Sequence, residues 1–141
     1  MTRNAREVDV LIVGAGPAGL AAGAELAAAG VERVEILERD QEAGGMPRHC
    51  HHGGFGGRLD RTAYAWASAT GSEYAPAGTS GPEYARRSVR AALAAGAALR
   101  TGVTVTGWAG PHAVETTGPA GLERITARAV VLATGARERP G

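Results

Sequence analysis

The chain has 141 residues, 44% of them hydrophobic and 21% charged, with a formal net charge of +1. That length suits one domain with a real core, and a near-neutral chain with no arginine cluster interleaved with aromatics excludes a nucleic-acid binder. All 15 cationic side chains are arginine, which excludes a phosphate-loop lysine or a Schiff base on this chain, and the single Cys50 excludes an internal disulfide.

Met1 to Glu7 is polar, unlike a secretory leader, and no apolar run approaches the length of a membrane span. A cytoplasmic protein is expected. Val8–Val13 is a short apolar run, the pattern of a strand buried on both faces. Gly14-Ala15-Gly16-Pro17-Ala18-Gly19 follows at once, and an alanine-rich helix is predicted over Ala18–Ala29. Gly14 lets the chain turn as it leaves the strand, Gly16 lets backbone N–H groups approach a pyrophosphate, and Gly19 lets the helix pack close to the sheet. The helix N-terminus offers unpaired N–H donors and partial positive charge to a phosphate. Gly23, inside the helix, implies close packing there, and Gly30 marks the helix C-cap.

A second strand, Val34–Leu37, ends at Glu38, which can accept hydrogen bonds from a ribose diol. A lone GxGxxG could be a glycine turn in a βαβ unit that binds nothing. Here it follows a strand, opens a helix and has an acid at the right distance, the spacing of a dinucleotide site. Glu38 by itself suits either NAD or FAD.

Residues 40–80 are rich in Gly, His and Ala with weak periodicity, and Asp60–Ala69 is the one place there for a helix. Ser80-Gly81-Pro82-Glu83 reads as a capping box opening a helix to about Ala95, with Ala85, Val89, Ala92 and Leu93 on one face and Gly96 ending it. Ala98–Arg100 is a short strand. Val103–Trp108, His112–Thr117 and Leu122–Arg128 alternate like half-exposed strands joined by Gly-Pro turns, an antiparallel meander. Ala129–Ala133 is a final buried strand, followed by Thr134-Gly135. The expected fold is α/β, a Rossmann-like, mainly parallel sheet with helices and a small antiparallel β-meander.

The glycine fingerprint near the N-terminus, Glu38-Arg39, Gly44-Gly45 and Val131-Leu132-Ala133-Thr134-Gly135 together resemble the N-terminal FAD domain of flavoproteins with two dinucleotide-binding domains, the glutathione-reductase-like class. The stretch Gly45 to Gly56, Gly81-Pro82-Glu83-Tyr84-Ala85, Val105-Thr106-Gly107-Trp108 and Ala136-Arg137-Glu138-Arg139-Pro140 look like the FAD-binding subunit of opine oxidase, hydrogen cyanide synthase and hydroxyproline or proline dehydrogenase complexes. The resemblance implies that residues 1–141 are one FAD/NAD(P)-binding domain, incomplete relative to a family whose chains continue into a second nucleotide domain. It implies FAD as cofactor and an oxidoreductase that takes a hydride or electrons from an amine or amino-acid-like substrate. It also implies a hetero-oligomer with other oxidoreductase subunits.

By the same resemblance, Gly14, Gly16, Pro17, Ala18 and Gly19 wrap the FAD pyrophosphate, and Glu38 holds the adenosine ribose with Arg39 beside it. Gly45 and Met46 approach the ribityl chain or flavin. Val105 meets the adenine edge through its backbone, and Ala133, Thr134 and Gly135 close over the cofactor. The double glycine and the Ala-Thr-Gly end favour FAD over NAD. The other readings are a non-catalytic nucleotide-binding subunit that needs a partner chain, and an NAD-binding domain.

His49, Cys50, His51 and His52 do not read as a metal site, because consecutive residues in an extended loop point alternately while structural zinc needs four converging ligands. A polar loop over a cofactor is the simpler reading, with Arg48 or His49 near the flavin pyrimidine edge. Cys50 lacks the partner that a redox disulfide needs and reads as a small half-buried side chain. Arg86, Arg87 and Arg90 form a solvated basic stripe. Tyr64, Trp66 and Tyr74 either bind a partner or pack the irregular stretch.

Overall fold

The computed structural model of the chain describes residues 4–55 and 79–136. The helix expected over 60–69, the three aromatics at 64, 66 and 74, and the segment from 137 onward lie outside them. In chain order the elements are β1 (Asn4–Val13), α1 (Pro17–Ala28), β2 (Val34–Glu38), a 3-10 turn (Met46–His49), α2 (Gly81–Ala95), β3 (Ala98–Thr101), β4 (Thr104–Trp108), β5 (Ala113–Gly118) and β6 (Gly121–Leu132).

The six strands form one sheet in the order β3-β2-β1-β6-β5-β4. β3, β2, β1 and β6 run parallel, while β5 and β4 add antiparallel on the far side of β6. The expected parallel sheet and meander are therefore present, with one correction. The predicted strands Leu122–Arg128 and Ala129–Ala133 are a single strand, β6, running beside β1 from Asn4↔Glu123 to Val13↔Leu132. The split has a physical origin. Glu123, Ile125 and Ala127 are buried at every second position, then Arg128 and Ala129 are both exposed and the alternation shifts phase. The chain stays extended through the shift because β1 continues to pair with it. β1 likewise starts at Asn4 rather than Val8, since the exposed residues Asn4 to Glu7 still find partners on β6.

Helices α1 and α2 cover one face through Ile12, Ala15, Leu20, Val34, Ile36, Ala92 and Ala97. Gly23 is buried there, and a Cβ on it would stand 2.5 Å from Ile36 Cδ1, so its absence sets how closely α1 approaches the sheet. α1 ends in a Schellman motif: Val31 N–H donates to Leu26 C=O and Gly30 N–H to Ala27 C=O, with Gly30 at φ +97°. Ser80 caps α2, its Oγ accepting the Glu83 N–H at 3.4 Å. The reciprocal half of the expected capping box is missing. The Glu83 carboxylate instead takes Arg86, Arg87 and Arg90 at 3.1–3.3 Å, three charges that outcompete a neutral N–H. Leu93 also departs from expectation. It lies at the rim of the apolar stripe and is half exposed, while Ala85 and Ala92 are buried.

On the other face Val8, Leu11, Leu37, Val103, Val114, Ile125 and Ala127 form a second core cluster. Beside it lie two buried carboxylates, Glu35 and Glu123. Arg100 bonds both, reaching Glu35 at 2.9 Å, and Arg6 reaches Glu35 at 2.6 Å. Burial alone would lower the Arg100 pKa, but its hydrogen bonds to Glu123 and Glu35 outweigh that and hold it above the ordinary value.

Candidate functional site

A cleft of about 510 Å³ opens at the carboxyl ends of β1, β2 and β6, the place where open parallel sheets bind ligands. Its floor is the glycine turn. Gly14 leaves β1 at φ +107°, and a Cβ there would stand 2.2 Å from the Ala133 carbonyl oxygen. Its N–H donates to Leu37 C=O at 2.8 Å, so one residue touches the ends of both neighbouring strands. Gly16 is the N-cap of α1 and has extended backbone (φ −81°, ψ −172°) that any residue adopts. A Cβ on Gly16 would meet only Gly45 Cα, at 3.9 Å, and would project into open space.

Pro17 occupies the first turn of α1, and neither a capping side chain nor an acidic residue covers that end. The helix N-terminus therefore faces the cleft with its partial positive charge free for an anion. Ala18 and Gly19 do not line the cleft. The Ala18 side chain is exposed, so only its backbone can serve there. Gly19 is buried, with a would-be Cβ 1.9 Å from Gly14 C=O, and its part is to seat the helix on the turn.

Glu38 lines one end of the cleft beside the exposed Arg39. Its Oε2 accepts the Ala15 N–H at 3.0 Å and its Oε1 the Asp40 N–H at 3.2 Å. These bonds orient the carboxylate and leave each oxygen a lone pair for a further donor. Val105 lines the same end at a register irregularity in β4. The Val103 N–H holds the strand there through Glu38 C=O at 2.9 Å. Ala133, Thr134 and Gly135 form another wall, tied to β1 by the Ala133 N–H to Val13 C=O bond of 2.8 Å.

The last wall is the 3-10 turn. Gly44 N–H donates to Ala15 C=O at 2.8 Å, and Gly45 (φ +67°) lies so close to the glycine turn that a Cβ would be 2.9 Å from Gly16 Cα. Met46, at the mouth, is 74% exposed, leaving a large apolar side chain uncovered beside the cleft. α2 buttresses the turn from behind. Gly81 N–H donates to Cys50 C=O at 3.0 Å, and a Cβ on Gly81 would fall 2.1 Å from Pro47 C=O.

Of the residues expected from sequence, Gly14, Gly16, Pro17, Glu38, Arg39, Gly45, Met46, Val105, Ala133, Thr134 and Gly135 converge on this one cleft. Asp40, Pro47, Val103 and Thr104 also line it and were not expected. Asp40 and Pro47 lie in stretches without a periodic signal, whereas Val103 and Thr104 begin a strand that the alternation does show but whose start reaches the cleft only through tertiary contacts such as the Val103 N–H to Glu38 C=O bond. Arg48 and His49 line it too, whereas His51 and His52 are exposed away from it and His52 stacks on Phe55 at 5.1 Å. Cys50 is half-buried, its thiol 3.5 Å from Met46 C=O. Among the described residues, no three His, Cys, Asp or Glu side chains converge in a way that could hold a metal ion.

An uncapped helix end, an open cradle at Gly16 and an oriented carboxylate at the far end fit the diphosphate and ribose of an FAD molecule, and the cleft volume lies within the usual range for cofactor pockets. Residues 7–52 match the family described as "FAD binding domain". The chain is 38% identical over 138 residues to sarcosine oxidase subunit alpha of Corynebacterium sp. (strain P-1), a match covering 94% of this chain and 13% of that protein. Among solved structures, a thioredoxin reductase from Gloeobacter violaceus superposes with a TM-score of 0.65 at 26% identity, covering 96% of this chain and 39% of the other. L-proline dehydrogenase from P. horikoshii superposes over the whole of this chain and 25% of its own, with a TM-score of 0.72; at 20% identity that likeness is one of fold. The chain thus spans about an eighth of the length of the sarcosine oxidase subunits it matches.

Proposed function

We propose that this chain is an FAD-binding domain of the kind found in flavoproteins with two dinucleotide-binding domains, and that it is the cofactor-holding part of an oxidoreductase acting on an amine or amino-acid-like substrate. The observation that carries the reading is the cleft itself, which Glu38, the start of α1 and Gly45–Met46 line together, a set of groups suited to ribose, diphosphate and the remainder of an FAD molecule. The substrate class rests on the amine-oxidising relative.

Bound flavin supplies the two-electron redox chemistry. The chain's own residues bind and orient. Glu38, held by two backbone N–H groups, accepts from a ribose hydroxyl, with Arg39 beside it. Gly14, Gly16, Pro17, Ala18 and Gly19 present the helix end to the diphosphate. Gly45 and Met46 guide the ribityl or flavin end, Val105 offers its backbone to the adenine edge, and Ala133, Thr134 and Gly135 close the wall. Residues 1–141 act as one domain in this reading.

A second reading is favoured by the exposed Met46 at the cleft: the chain works as a nucleotide-binding subunit with a partner chain that completes the flavin pocket, in a cytoplasmic hetero-oligomer. Leu132 is a further large apolar side chain left exposed. Within the described residues no helix is long and apolar enough to cross a membrane.

The test is to purify the chain, desalt it and record flavin absorbance, then repeat with the polypeptide encoded next to it. Colour and dye reduction by the chain alone support the first reading. Colour only with the neighbour supports the second. Tight NAD binding with no flavin in either preparation overturns both.

A further inference from the structure

We propose that Arg48 is the side chain that recognises the anionic diphosphate of the nucleotide in this cleft, working with the uncapped N-terminus of α1. The proposal rests on the nucleotide-binding reading above. Arg48 belongs to the 3-10 turn that forms one wall of the cleft, and with Arg39 it is one of two described arginines lining it. Arg39 stands beside Glu38, at the end assigned to ribose. Arg48 stands with Gly45, where a Cβ would be 2.9 Å from Gly16 Cα.

The fold positions the Arg48 stem. It runs over Gly44, where a Cβ would be 2.9 Å from Arg48 Cγ and 2.7 Å from Ala85 Cβ. Gly44, at φ +125°, thus opens a slot between the loop and α2 that the Arg48 stem fills. Only 18% of the side chain is exposed, unlike the surface arginines of α2, which are 62–64% exposed.

The head group is charged but incompletely paired. One terminal nitrogen donates to Glu42 C=O at 2.7 Å and lies 3.6 Å from a Glu42 carboxylate that is 81% exposed. The other meets His49 Nε2 at 3.2 Å. Nε is buried with no acceptor. By contrast, Arg6 and Arg100 are bound to buried carboxylates. A guanidinium whose best partner is a neutral carbonyl, and which keeps an orphaned buried donor, gains from a phosphate that draws it over and fills its fork of donors.

The experiment is calorimetric titration of the full chain with ADP and, separately, with adenosine, for wild type, Arg48→Met and Arg48→Gln. The wild type is expected to prefer ADP. Arg48→Met should weaken ADP by about tenfold, the loss of a charge-assisted contact, and leave adenosine within about twofold. Arg48→Gln keeps a polar head without the charge and gives the same readout should the Met variant fail to fold. Equal weakening of both ligands, which a purely structural role predicts, overturns the proposal, as does an unchanged ADP affinity. A wild type that binds neither ADP nor adenosine overturns the nucleotide reading itself, whereas normal wild-type binding with no Arg48 effect overturns only the role of Arg48.

Discussion

Three glycines in one turn should respond to the same methyl group in different ways. At Gly16 the backbone already has φ −81° and ψ −172°, and the added Cβ would meet nothing closer than Gly45 Cα at 3.9 Å. Gly16→Ala should therefore fold normally. The gain from removing backbone freedom in the unfolded chain is offset because Gly16 is the N-cap, where alanine is a poorer residue than glycine, so Tm should shift by no more than about 4 °C in either direction. The same methyl occupies the space where the diphosphate approaches. Crowding a well-packed contact by one methyl costs about 1–3 kcal/mol, which weakens FAD by about five- to 150-fold. Gly14→Ala and Gly19→Ala are expected to lose the fold as well, since their Cβ atoms would stand 2.2 Å from the Ala133 carbonyl oxygen and 1.9 Å from the Gly14 carbonyl oxygen. Thermal unfolding followed by circular dichroism gives the stability arm, and flavin fluorescence quenching gives the affinity arm. A Gly16→Ala variant that binds FAD as tightly as wild type would refute the placement of the diphosphate on this face of the turn.

Glu38→Gln leaves one side-chain carbonyl where two carboxylate oxygens accept the Ala15 and Asp40 N–H groups; FAD should weaken by about tenfold or more, as one charged acceptor is lost, and a titration showing equal affinity would contradict it. Arg100→Met leaves the buried Glu123 with no cation nearer than Arg6 at 4.0 Å, while Glu35 keeps Arg6 at 2.6 Å, and should cost about 3 kcal/mol in urea unfolding, with partial recovery when Glu123→Gln is added; no loss in the single variant would show the network to be idle. Ser80→Ala removes the cap of α2 at its long 3.4 Å bond and should cost about 0.5–1 kcal/mol, read as a shift in urea midpoint at constant slope. The hydrogen bond from Arg86, then that from Arg90, holds the Glu83 carboxyl below the ordinary glutamate range. Because the folded value is the depressed one, its stabilising contribution is present above the unfolded glutamate value and is lost as pH falls through the folded one. Carboxyl-carbon NMR should place Glu83 higher after Arg86→Ala, and no movement would contradict the pairing.

What could be read without coordinates was local. Gly14 lets the chain turn sharply out of its strand, Gly30 and Gly96 end helices, and Val34–Leu37 reads as a short strand. These are demands that a residue makes on its own backbone or on neighbours three or four positions away. The glycine turn and the acid at Glu38 were legible for that reason, and so was the α/β class. The union of Leu122–Arg128 with Ala129–Ala133 was not legible, because the alternation changes phase where the chain does not bend, and only pairing with β1 keeps it straight. Nor did the pattern show that Ala18 and Gly19 stay off the cleft wall while Val103 and Thr104 come onto it. Those placements follow from contacts between distant residues, such as Gly14 with Ala133, Gly44 with Arg48 and Ala85, and Gly81 with Pro47. The order of residues along the chain settles which backbone shapes are allowed. Close packing of elements far apart in that order settles which of those residues share a cavity, because no local preference is strong enough to choose among the ways the same strands and helices can be brought together.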